Sequence, residues 1–297
     1  MIEPIEKVWT DEELKSEIKR LKMSMSGSDS AALKKQHVGT EMFLDTEEGK
    51  VRILAYNLNN SQSLPLFVNI HGGGFVLGSA ESDDPFMMNI ADNANVKIIN
   101  IDYSLAPEYP FPKALNECYA VIKYAKENWK EFNIDPNNIA VGGHSAGGNL
   151  SAAICLLDNE RKLLGIKSLI LDYAPMDIYT DASLKKQTED AIPIPMCRLF
   201  DACYCNNKEA RKNPLISPIY AAQEELKSFP PTLVITASRD SLCEEGEKFM
   251  DRLVEAGVDV THKRFDAEHG FNMKSSPLAD ESWQLMINHL KRTLWGK

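Results

Sequence analysis

Ser145 stands in Gly143-His144-Ser145-Ala146-Gly147, a G-x-S-x-G frame with small residues on both sides. A serine at the tip of a sharp strand-to-helix turn exposes its Oγ while crowding its own backbone, so its neighbours must be small. The frame follows an apolar run, Ile139–Val141, and opens a small-residue stretch of helical character, Gly147–Leu157. Placed like this, Ser145 is a candidate nucleophile. The alternative is a glycine-rich turn that only packs a helix on a sheet. A serine hydroxyl is inert until a base takes its proton, so the frame acquires meaning only if a base exists.

Six histidines are available. His37 lies outside the core runs, His71 belongs to a glycine-rich loop, His262 sits within a strand-like run and His289 on the closing helix. His144 adjoins Ser145 and is expected to point away from it. His269 stands in Asp266-Ala267-Glu268-His269-Gly270-Phe271, after the last strand and before the last helix, where a base can reach over the sheet's end. An acid must orient that imidazole and stabilise its cation. Asp240 follows the run Thr232–Thr236 directly, in Ser238-Arg239-Asp240-Ser241-Leu242. It could instead cap the next helix, a task Ser241 fills equally well. Asp172 and Asp177, after an earlier strand, are the other candidates.

Upstream lies His71-Gly72-Gly73-Gly74-Phe75, again directly after an apolar run. Consecutive glycines leave backbone N–H groups bare and let a ligand approach closely. The amides of Gly73, Gly74 and Ala146 are therefore candidate donors to a developing oxyanion. No lysine follows and no G-x-G-x-x-G frame fits, which argues against a phosphate loop.

The elements that must hold these residues alternate along the chain. Residues 10–24 read as an amphipathic helix, with Thr10 as N-cap and Glu13 completing a capping box. Val51, Ile53 and Ala55 alternate with more polar neighbours, as a strand does. The runs Leu64–Ile70, Val96–Ile101, Asn138–Val141, Ser168–Leu171, Thr232–Thr236 and Val260–Phe265 read as further strands. Helices are expected at 114–132, 147–157, 245–256 and 281–294. Strands alternating with helices imply crossover connections: an α/β chain, one domain over 1–297, with a mostly parallel central sheet flanked by helices. Between Ala174 and Tyr220 no strand is visible. A stretch this long is not expected to be plain loop, so about 175–220, joined by about 1–30, is read as a helical cap.

Composition narrows the function classes. The formal net charge of −10 argues against binding nucleic acid or an anionic membrane. No basic start with an apolar stretch precedes the first helix and no run of 18 apolar residues occurs, so neither secretion nor membrane insertion is expected, and the cytoplasm is. The six cysteines then read as reduced thiols. Cys197, Cys203 and Cys205 lie close together, but without a nearby histidine or a C-x-x-C spacing no metal is expected. No cofactor is needed for serine chemistry. Val260–Phe265, as the last strand, is expected at an edge; a monomer, or a homodimer through that strand, both fit.

The combination of H-G-G-G-F, Asp102-Tyr103-Ser104-Leu105-Ala106-Pro107-Glu108, G-H-S-A-G-G-N and E-H-G-F resembles the hormone-sensitive-lipase-like esterase family, from about residue 65 to the end. The order nucleophile, acid, base is that of α/β-hydrolases. The resemblance implies an α/β-hydrolase fold and a triad of Ser145, Asp240 and His269. It also implies an oxyanion hole from the glycine loop and Ala146, a helical cap, and a preference for short acyl esters as small-molecule substrates. Members often carry Asp where His144 stands, Arg where Ser104 stands, and D-P-L-x-D in place of Asp240-Ser241-Leu242-Cys243-Glu244; none of these departures removes a triad residue. A lipase, a sugar O-acetyl esterase and a non-enzymatic ligand receptor are the alternatives on the same scaffold. A long-chain lipase fits less well with the polar cap segment around Lys185-Lys186-Gln187, and a receptor less well with the presence of His269.

Overall fold

The computed structural model describes residues 7–25 and 37–296. Its centre is an eight-stranded sheet: β1 (Thr40–Thr46), β2 (Gly49–Tyr56), β3 (Leu64–Ile70), β4 (Lys97–Asp102), β5 (Ile134–His144), β6 (Ser168–Asp172), β7 (Thr232–Ala237) and β8 (Val260–Phe265), in spatial order β1-β2-β4-β3-β5-β6-β7-β8. The β1–β2 hairpin and its junction with β4 are antiparallel; every later pair is parallel. Strand β3 is buried along its whole length, as a parallel strand covered on both faces must be.

Two apolar cores explain that burial. On one face Val68 and Ile70 pack with α3 (Lys113–Glu127), α4 (Ala146–Arg161) and α6 (Cys243–Glu255), the first helices in this numbering being α1 (Asp11–Met25) and α2 (Asp84–Ala94). On the other, Phe67, Ile98 and Ile170 meet α2 and the closing helix α7 (Pro277–Trp295), α5 being Ile194–Tyr204. The period-two alternation of each strand thus feeds two layers of helices.

Most expected elements lie where the pattern put them, and Val260–Phe265 has the same bounds. The helix expected over 114–132 is broken: α3 stops at Glu127 and a single turn, Trp129–Phe132, follows. The cause is Asn128, whose side-chain amide and backbone N–H both donate to the Tyr124 carbonyl and end the regular ladder. Strand β5 begins at Ile134, earlier than the expected Asn138, because Ile134 pairs with Leu64 across a register shift. At the N-terminus Thr10 and Glu13 form the reciprocal capping box, at 2.8 and 3.2 Å.

Between Ala174 and Tyr220 no strand occurs among the described residues; the segment holds α5 and short 3₁₀ turns. Leu14 and Ile18 of α1 are buried against Leu199, Ala202 and Cys203 of α5. Burying a leucine or isoleucine such as Leu14 or Ile18 contributes about 1.5–3 kcal/mol. The segment is tied to the sheet-bearing body by a largely buried Lys185–Glu245 pair at 2.6 Å, by the Thr188 hydroxyl donating to the Arg239 carbonyl, and by the Arg239 guanidinium donating to Asp190. The part of the expected cap in residues 1–6 and 26–30 lies outside the described residues.

Candidate active site

The parallel strands deliver their C-terminal ends to one edge, and every candidate residue follows such an end. Ser145 sits between β5 and α4 at φ 50°, ψ −119°, a conformation few non-glycine residues adopt. The turn can be this tight because Gly147 has no side chain: a Cβ there would lie 1.8 Å from the Ile70 carbonyl oxygen. The Ser145 N–H donates to the Asp172 carbonyl at 2.8 Å, which holds the elbow to β6.

His269 comes over the edge from the turn after β8. Its Nε2 is 3.0 Å from Ser145 Oγ and its Nδ1 is 2.6 Å from Asp240 Oδ2. A carboxylate only accepts hydrogen bonds, so Nδ1 carries the proton and Nε2 presents its lone pair to Oγ. Asp240 is fully buried, and its other oxygen accepts the Leu242 N–H at 3.0 Å. Its contacts are with His269 and with a turn before α6; it does not cap that helix, whose N-cap is Leu242 without a side-chain cap bond. The His269 ring also meets the Tyr173 ring edge-on at 4.9 Å.

The glycine loop lies against the elbow. A Cβ on Gly72 would be 3.0 Å from the His144 carbonyl oxygen and 3.4 Å from Ser145 Cβ, so a side chain there would crowd the elbow. Gly73 takes φ +116°, where a side chain would strike the Leu77 carbonyl at 2.1 Å. Among the described residues, the amides of Gly73 and Gly74 have no backbone acceptor. Ala146 begins α4, and its N–H shares the positive end of the helix dipole. His71 pins the loop by donating from Nδ1 to the Gly72 carbonyl at 2.7 Å and by stacking on Tyr103 at 4.2 Å. Burial pushes its imidazole below the ordinary value, keeping it neutral.

These parts line a cavity of about 350 Å³. Ser145, His269 and the glycines form its floor, and Ile192, Met196 and Phe200 from α5 and the residues before it form its roof. Phe200 would lie 2.3 Å from a Cβ on Gly74, so the roof rests directly on the glycine loop.

Ser145, Asp240, His269, Gly73, Gly74 and Ala146 are thus brought together. The other candidate acids are engaged elsewhere. Asp177 accepts the backbone N–H groups of Tyr179 and Thr180. Asp172 is 2.6 Å from His144 Nδ1, wholly inside the protein. His144 makes no bond to Ser145 Oγ, His262 meets Thr236, and His37 meets the Gly39 carbonyl. His289 is buried on α7 and held down to about 4 by burial. Tyr173 and Asp83 also line the cavity, at positions after a strand and within a loop that no local motif in the sequence marks. Among the described residues no group of three or more His, Cys, Asp or Glu is arranged to hold a metal. Burial pushes the Cys197 and Cys203 thiols up to about 12.

Comparison with known proteins agrees with this architecture. A family model described as the α/β hydrolase fold matches residues 67–273. An arylesterase of Saccharolobus solfataricus is 31% identical over 89% of this chain and 87% of its own length. A hyperthermophilic esterase from Pyrobaculum calidifontis superposes with a TM-score of 0.82 at 28% identity, covering 95% of this chain and 94% of that one. The thermophilic carboxylesterase EstE1, from a metagenomic library, gives 0.79 at 27% identity over 96% and 98%. The chain belongs to the α/β-hydrolase fold family, in its hormone-sensitive-lipase-like branch.

Proposed function

We propose that the chain is a serine carboxylesterase that hydrolyses short-chain acyl esters through an acyl-enzyme on Ser145. The observation that carries this reading is the run of contacts from Asp240 through His269 to Ser145 Oγ, at 2.6 and 3.0 Å, in a cavity that Gly73 and Gly74 also line. His269 Nε2 takes the hydroxyl proton as Oγ attacks the ester carbonyl, and Asp240 steadies the imidazolium. The carbonyl oxygen, now negative, is held by the amides of Gly73, Gly74 and Ala146. His269 returns the proton to the leaving alcohol, and water repeats the sequence on the acyl-enzyme. No metal or cofactor takes part in these steps. The esterase relatives support the ester as substrate class.

The roof over the cavity supports the short acyl group. Ile192, Met196 and Phe200 line the cavity of about 350 Å³ that also holds Ser145, which favours an acyl group of limited size. A p-nitrophenyl ester series from acetyl to palmitoyl tests this. Specificity should peak at short chains and fall steeply once the acyl group outgrows the cavity; a rising profile through palmitate would replace this reading with a lipase.

The cap is proposed as α1, within about 1–30, together with the segment of about 175–220, on one α/β domain. Six unpaired cysteines, four of them buried, suit a reducing compartment, and the cytoplasm is the location proposed. No helix among the described residues is long and apolar enough to cross a membrane. Strand β8 ends the sheet, with Lys263 and Arg264 paired to Glu281 and Glu247. Light scattering at micromolar concentration separates a monomer from a homodimer formed through that edge.

A further inference from the structure

Ser145 and His269 belong to segments 124 residues apart, and their contact is only as good as the tie between those segments. On the outside, the turn that carries His269 is held by Arg239, which reaches Asp266 and Glu268; both acids are substantially exposed. Exposed ion pairs of this kind restrain little. Phe271 packs on Phe265 and Tyr173, which sets the depth of the turn but not its register, since apolar contact is non-directional.

The start of the turn is fixed by a backbone bond, the Arg239 N–H donating to the Ala267 carbonyl at 3.0 Å; beyond His269, directional restraint comes from below. His144 and Asp172 are register partners at the ends of β5 and β6, so their side chains share a face. Asp172 Oδ2 accepts from His144 Nδ1 at 2.6 Å and from Asn272 Nδ2 at 2.7 Å. Asn272, three residues after His269, also donates to Ser282 Oγ at 3.0 Å, accepts from the Tyr173 hydroxyl at 2.8 Å, and accepts the Trp283 indole N–H on its carbonyl at 3.0 Å. Asp172 and Asn272 have no exposed surface and His144 almost none. Burying a carboxylate is unfavourable, and apolar residues of the same volume would often be at least as stable there, so its presence calls for a role other than stability.

We propose that Asp172, His144 and Asn272 are positioning residues for the reaction: a buried carboxylate clamps the turn behind His269 to the strand end that carries Ser145, and so sets the Nε2–Oγ separation. The proposal rests on the reading of Ser145 and His269 as nucleophile and base. None of the three bonds to Ser145 Oγ or to the His269 ring, and His144 only borders the cavity; they act by holding the turn behind His269 against the strand ends. Mispositioning a catalytic group by about 1 Å costs on the order of 100-fold.

The test is a cycle in two backgrounds. Asn272→Ala and Asp172→Asn are each made in the wild-type chain and in His269→Ala, and p-nitrophenyl acetate turnover and thermal melting are measured. In the wild-type background, kcat should fall roughly 10- to 100-fold with KM within about twofold. In His269→Ala, where no base remains to be positioned, the residual rate should change less than about twofold. An equal loss in both backgrounds, or wild-type kcat in a folded variant, overturns the clamp. If Asn272→Ala does not fold, the near-isosteric Asp172→Asn decides by the same two outcomes. A wild-type chain without esterase activity would instead strike at the parent reading.

Discussion

Two imidazole–carboxylate pairs flank Ser145 in space, and their bond lengths are the same. His269 Nδ1 is 2.6 Å from Asp240 and His144 Nδ1 is 2.6 Å from Asp172, with both carboxylates fully buried. What separates them is the second nitrogen. His269 Nε2 opens on the cavity and meets Ser145 Oγ, whereas His144 Nε2 is sealed inside with no hydrogen-bond partner among the described residues. The charge requirements differ as well. A base must be neutral to accept a proton. Burial alone would push the His144 imidazole down, but Asp83 and the hydrogen-bonded Asp172 outweigh it and hold it above its ordinary value, favouring the charged form. A His–Asp pair is therefore not a catalytic pair by its bond alone; the group facing its free nitrogen decides.

The largest expected effect falls on the cavity side. Ser145→Ala or His269→Ala should lower kcat by about 10⁴- to 10⁶-fold with the fold intact, because only the oxyanion donors and binding survive. Loss of the same size on replacing His144 by Gln would break the comparison. Next come the acids. Asp240→Asn should cost about 10⁴-fold near neutral pH by favouring the wrong imidazole tautomer. Asp172→Asn should cost no more than about 100-fold; a reversed ranking would move the acid assignment to Asp172.

The smallest effect is on stability. His144 faces the carboxylates of Asp83 and Asp172 and the Tyr173 hydroxyl, 3.4 Å away. Its value in the folded chain is raised above that of the unfolded chain. Its contribution is therefore fully present below the ordinary histidine range and lost as pH rises through the folded value. Melting temperature should fall over that alkaline step in the wild type, and the step should be absent in His144→Gln. A step of the same size in both proteins would show that another group is responsible.

Much of this was legible in the residues themselves. Strand β8 keeps its expected bounds because its alternation is bracketed by turn residues, and the elbow was readable because only small residues fit around Ser145. The break at Asn128 was not, since a side chain that competes for a helical carbonyl leaves the apolar period of 114–125 unchanged. The His144–Asp172 pair was hidden for another reason. Its members are 28 residues apart, and only the β5–β6 register brings them together. Tyr173 was equally obscure: a tyrosine at φ 38° is set by the strand end it follows and by no local preference.

The central claim is that Ser145 is the one hydroxyl made nucleophilic by its surroundings. Intact-mass measurement after treatment with a fluorophosphonate, followed by peptide mapping, tests it directly. The account predicts a single phosphonyl adduct per chain, located on Ser145, formed rapidly by the wild type and not at all by Ser145→Ala. An unlabelled wild-type chain, or an adduct on any other residue, would contradict it.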